Sequence, residues 1–143
     1  MSRSIKRYSL ITCLLWSFIA SGDPLTLTIT FTGITNTNIP LRVLLFNKAD
    51  GFPAESDKAL LRKVISATTA QLTFENLEPG TYAVSVFQDL NGNGRCDTKW
   101  PGIPTEPYGM SGYTTQPFLF PRFNRARFEL KTERTTISIP LLQ

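Results

Sequence analysis

The sequence predicts an all-β fold, a seven-stranded antiparallel two-sheet sandwich, and two observations carry that prediction. Between residue 25 and residue 142, short segments recur in which apolar and polar residues alternate with the two-residue period of a strand. Clusters of Gly, Pro, Asn and Asp break the alternation at short intervals, as turns between consecutive strands do.

The first 22 residues read as an export signal. Arg3, Lys6 and Arg7 give a positive start, residues 8–20 are apolar, and Ala20-Ser21-Gly22 offers small side chains for cleavage. That apolar run of about 13 residues falls short of the ~18 to 20 that cross a bilayer, so no membrane span is expected after cleavage. Cys13 does not suggest lipid attachment, because Thr12 stands where a small Gly or Ala belongs. The expected product is a periplasmic or extracellular protein, a single domain over residues 23–143. Loss of the three basic residues leaves twelve against eleven acidic ones, a net charge near +1 in place of +4. Nucleic acid is therefore not an expected partner.

Residues 25–32 alternate without a fault and give a half-buried first strand. Residues 39–46 are apolar on both faces in part, as in a central strand. Asp50-Gly51 and Pro53 break the chain, and residues 55–60 offer one helical turn. Strands follow at 61–67 and 70–75, joined at Thr68-Thr69. Pro79-Gly80 fits a type II turn, and Tyr82 beyond it is placed like the tyrosine corner of immunoglobulin-like sandwiches. Residues 81–88 form the clearest strand, rich in β-branched and aromatic side chains. A long loop is expected over 89–121, and residues 125–131 and 135–142 close the fold.

The loop opens with Asp89-Leu90-Asn91-Gly92-Asn93-Gly94-Arg95-Cys96-Asp97, which places side-chain oxygens at alternate positions and a glycine at the sixth. That spacing is the start of a calcium loop of EF-hand type, in which the glycine permits the sharp turn and the seventh residue gives a backbone carbonyl. The expected Ca2+ ligands are Asp89, Asn91, Asn93, the Arg95 carbonyl and Asp97. Trp100 stands where an EF-hand has its bidentate Glu, and a strand stands where it has a helix. An EF-hand is therefore rejected, and Glu106 becomes the replacement carboxylate if residues 101–104 fold back. Asn-Gly-Asn-Gly is also good turn sequence, yet a bare turn does not require Asp at both ends. Cys96 is left without an intramolecular partner and reads as a buried small hydrophobe beneath the loop.

Leu45-Phe46-Asn47, Gly51-Phe52-Pro53, Leu77-Glu78-Pro79-Gly80-Thr81-Tyr82, the Asp89–Asp97 stretch, Gly102-Ile103-Pro104-Thr105-Glu106 and Tyr108-Gly109 occur in an order that resembles the bacterial exported domain of unknown function 2141 family. The resemblance spans nearly all of the chain after the signal. It implies an envelope or secreted sandwich, immunoglobulin-like or transthyretin-like, and it supplies no activity. Cys96 departs from the aliphatic residue of that pattern, and Pro107 from its glycine.

The leading functional expectation is a non-catalytic module in which Ca2+ orders the loop and presents Trp100, Tyr108 and Tyr113 to a carbohydrate or protein. A carboxylate-based hydrolase using residues 89–106 is the competing class. With no histidine in the chain, neither a Ser-His-Asp nor a Cys-His site can form. A structural envelope protein pairing through sheet edges is the third class, opposed locally by Pro40 and Pro140.

Overall fold

The structure, a computed structural model, describes residues 24–115 and 121–143. The expected export signal lies outside the described residues. Among these residues the strands are β1 (Leu25–Thr32), β2 (Leu41–Phe46), β3 (Leu61–Ile65), β4 (Gln71–Leu77), β5 (Gly80–Gln88), β6 (Thr98–Lys99), β7 (Ile103–Pro104), β8 (Tyr108–Met110), β9 (Phe128–Leu130) and β10 (Arg134–Pro140). A single turn of helix, α1 (Phe123–Ala126), precedes β9.

Two sheets face one another. One has the order β10-β1-β4, and the other runs β3-β2-β5-β8, with β9 joining β5 beyond β8. All pairs are antiparallel except β1 and β10, which run parallel with Ile29 opposite Ile137. The expected two-sheet sandwich stands, with more strands than seven because the long loop contributes three short ones, β6, β7 and β8.

The faultless alternation of β1 buries Leu25, Leu27, Ile29 and Phe31 against Leu41, Val43 and Leu45 of β2 and Val84 and Val86 of β5. This is the core between the sheets. The alternate residues of β2 and β5 face the other way, and they are buried too. Leu44, Phe46, Ala83 and Phe87 pack beneath Tyr108, Met110, Tyr113 and Ala126. The five-stranded sheet is thus covered on both faces, which explains why β5 is buried from Tyr82 to Gln88. Phe52 stands edge-on to both Phe46 and Phe123, with centroids 5.4 and 5.8 Å apart, and extends this outer layer.

The covering segment is pinned through polar groups. Ser111 Oγ donates to the Ala126 carbonyl at 2.7 Å and accepts from the Val84 amide at 2.9 Å, while Ser85 Oγ donates to the Pro53 carbonyl at 2.6 Å. Tyr108 exchanges two backbone hydrogen bonds with Leu142, so the chain end ties β8 to the strand that follows from β10. Gly109 sits at that junction, where a Cβ would lie 2.5 Å from the Pro140 carbonyl oxygen.

Three local expectations change. Gly80 is not in the left-handed region, so the type II turn does not form; the positive φ falls instead on Asn76, at 58°. Arg125 and Ala126 belong to α1 rather than to a strand, and β9 is only three residues long. The helical turn expected at 55–60 is a short 3-10 turn at Ser56–Lys58.

Candidate functional site

Strand parity sets the site at the end of β5. Gln88 continues the inward row of Val84 and Val86, which places Asp89 with the outward row of Phe87. Gln88 is fully buried, and its Nε2 donates to the carbonyls of Asn36 and Ile39 at 2.7 and 2.8 Å. It anchors the approach to β2. Arg42 of β2 is paired in register with Phe87 and so shares the outward face with Asp89. Its Nε lies 2.8 Å from Asp89 Oδ2, a close ion pair whose N–H is not aligned as a hydrogen bond.

From Asp89 the chain turns through two glycines in left-handed backbone, Gly92 at φ 74° and Gly94 at 81°. The turn wraps around the Asp89 carboxylate. Oδ1 accepts from the Asn93 amide at 3.0 Å, and Oδ2 accepts from the Gly94 amide at 2.7 Å. Asn91 Oδ1 accepts from the Asn93 amide and Asn93 Oδ1 from the Arg95 amide, so each side chain supports the backbone two residues on. Asn91 Nδ2 reaches Asp97 Oδ2 at 2.6 Å, and Asn93 Nδ2 reaches both Asp97 oxygens at 3.0 Å. Four of the expected ligand residues, Asp89, Asn91, Asn93 and Asp97, therefore form one connected polar group.

Glu106 also reaches the loop, as expected. The β6–β7 hairpin reverses the chain, with Thr98 opposite Pro104 and Lys99 opposite Ile103, and the Thr105 amide donates to the Asp97 carbonyl at 2.8 Å. Glu106 is buried, and its oxygens accept from the Leu90 amide at 2.7 Å and the Asp97 amide at 3.0 Å. It clasps the two ends of the loop. It acts as a strut between them, each oxygen holding a backbone amide.

Burial pushes the Asp89 carboxyl up. The Gly94 amide, the Arg42 guanidinium and the Gly92 and Asn93 amides pull it further the other way, and the net result lies below the ordinary carboxylate range. Cys96 packs against the outer core under the loop, and burial together with the Glu106 and Asp97 carboxylates pushes its thiol up to about 12. It also lines an apolar cavity of about 260 Å3 with Pro53, Phe87, Pro104, Tyr108 and Met110.

The expected aromatic surface divides. Trp100, at the hairpin tip, is 92% exposed, and Ile103 beside it is also exposed. Tyr108 and Tyr113 are buried at 7% and 3%, which corrects their placement on a binding surface. The Tyr113 hydroxyl accepts from the Arg122 amide at 3.0 Å, and the Arg125 guanidinium covers its ring at 4.9 Å. Both tyrosines lid the five-stranded sheet.

Sequence reasoning missed Arg42 and Gln88. The available signal was a lone cation in the otherwise apolar run Leu41–Phe46, and a lone amide ending the apolar face of β5. Among the described residues no group of three or more His, Cys, Asp or Glu side chains is close enough to hold a metal ion, and no helix is long and apolar enough to cross a membrane. A cation at this loop would depend on amide and carbonyl oxygens as well as carboxylates.

No curated protein and no solved structure matches the chain. A family profile described as "Uncharacterized protein conserved in bacteria" matches residues 29–138, from the middle of β1 through the whole loop and into β10. The loop and most of both sheets fall within that span, and the chain belongs to the DUF2141 family of uncharacterised bacterial proteins.

Proposed function

We propose that this protein is an exported, non-catalytic β-sandwich module whose 89–97 loop binds Ca2+. The observation that carries the reading is the single polar group formed by Asp89, Asn91, Asn93 and Asp97. Their donors are hard oxygens, the type that calcium takes, and the Arg95 carbonyl at the seventh position adds another. Asp89 accepts from the fifth and sixth residues and Asp97 from the side-chain amides of the third and fifth, so the first, third, fifth and ninth side chains meet in one turn. Two carboxylates in the set put the affinity in the range of extracellular modules, with Kd ~10⁻⁴ to 10⁻³ M. Calcium then acts by stiffening the loop and the hairpin tied to it.

Catalysis by carboxylates needs an acid and a base free to exchange protons with substrate. Asp89 and Glu106 are buried and committed to loop amides, which supports the non-catalytic reading. Trp100, held out on the β6–β7 hairpin with Ile103, is the contact for a carbohydrate or protein partner. Export rests on residues 1–22, whose cleavage exposes a new N-terminus at residue 23.

Calorimetric titration with CaCl2 tests the metal reading on protein purified after expression of the full chain. Saturable binding at submillimolar to millimolar Ca2+, lost in Asp97→Ala, is the expected result. Absence of calcium heat in wild-type protein that is folded by circular dichroism would sink it.

A further inference from the structure

The Asp89 side chain is 2% exposed, and its Oδ2 is held by the Gly94 amide at 2.7 Å and approached by Arg42 Nε at 2.8 Å. A turn of this kind needs the two amides to order the backbone. It does not need a guanidinium. Arg42 belongs to the rigid central sheet, paired on one side with Val64 and on the other with Phe87, and so its charge is fixed at the mouth of the loop rather than carried by it.

We propose that Arg42 is a built-in counter-cation, a residue that sets the affinity and charge selectivity of the calcium loop by occupying the Asp89 carboxylate in competition with the metal. The inference rests on the calcium reading of the loop. A positive side chain beside the first ligand raises the electrostatic cost of bringing a cation to that carboxylate. A monovalent ion gains too little from an Asp89 charge that Arg42 already balances, whereas a divalent ion gains twice as much from the remaining oxygens. The guanidinium also keeps Asp89 in place when no metal is bound, so the loop stays folded in the presence of a chelator.

The test compares the Ca2+ concentration giving half the maximal stabilisation in wild type, Arg42→Gln, Arg42→Met and Arg42→Lys, each purified after expression of the full chain. Loss of the charge in Arg42→Gln and Arg42→Met lowers that midpoint about tenfold. Arg42→Lys keeps it near the wild-type value. Arg42→Met retains the aliphatic stem against the sheet and serves if the polar substitution does not fold. A midpoint unchanged in both neutral variants overturns the role of Arg42 while leaving the calcium loop intact. So does a lysine variant that falls as far as they do. No calcium response in the wild type overturns the calcium reading and this inference together, whatever the variants do.

Discussion

At the level of single residues, the loop is held by groups that serve the backbone first. Asp89 has a carboxyl held below its ordinary value, so its ionised form contributes stability above the unfolded pKa and that contribution is lost as pH falls through the lower folded one. Asp89→Asn has no such ionisation. Melting temperatures followed downward from pH 6 are expected to begin approaching one another below about pH 4, near the unfolded carboxylate value, and to meet only below the lower folded value. A gap that stays constant to pH 3 would contradict this account. Cys96 gives a second check. A thiol raised to about 12 and partly buried under the loop is almost wholly protonated at neutral pH. Iodoacetamide is expected to label it slowly in folded protein and rapidly in denaturant, and equal rates by mass spectrometry would show the outer core to be open. The regular spacing of loop oxygens was legible in the sequence because ligand and turn chemistry are local. Arg42 was not, since it comes from a strand distant in sequence and no local rule links it to Asp89.

Elements add constraints that no single residue supplies. Tyr82 enters β5 and donates its hydroxyl to the Glu78 carbonyl at 2.8 Å, the corner expected from its position. Tyr82→Phe removes this bond and is expected to cost about 1 kcal/mol in urea unfolding. Glu106 does more, since its carboxylate joins the start of the loop at Leu90 to its end at Asp97 across the β6–β7 hairpin. Glu106→Ala leaves two amides without their charged acceptor, an expected loss of about 2 to 4 kcal/mol, with faster amide exchange concentrated at residues 90–97. The six longest strands were readable, β1 and β10 from the two-residue period and β2 and β5 from runs of apolar, β-branched and aromatic residues, with β3 and β4 set off by the turn residues around them. By contrast β6, β7, β8 and β9 are two or three residues long, too short to show a period, and their places are set by partners remote in sequence. The type II turn failed for a related reason. Pro79-Gly80 has the right residues, but β5 already begins at Gly80 and extends it.

Across the whole molecule, the long loop is the second cover of the sandwich. A sheet solvated on one face would show polar residues on alternate positions of β2 and β5, and the apolar residues found there announce a covering layer whose identity only the fold reveals. That cover brings Tyr108 and Tyr113 inside and leaves Trp100 out. Gly109 is where the cover meets the C-terminal strand, and Gly109→Ala forces a Cβ against the Pro140 carbonyl. A destabilisation of at least about 1 to 3 kcal/mol is expected from the enforced shift, and a neutral substitution would contradict the junction described here. Because the same segment carries the loop, a metal bound there would stabilise the whole molecule. Ligand bound by the native state alone adds RT ln(1 + [L]/Kd), about 1.4 kcal/mol at ten times Kd.

Thermal unfolding in EDTA, in millimolar CaCl2 and in millimolar MgCl2 therefore tests the central claim most directly. Wild-type protein is expected to melt several degrees higher in Ca2+ than in EDTA or Mg2+, and Asp97→Ala, which spares the amides around Asp89, is expected to lose that rise. Identical melting in all three solutions would reduce residues 89–97 to a turn clasped by Glu106 and remove the calcium site from the account.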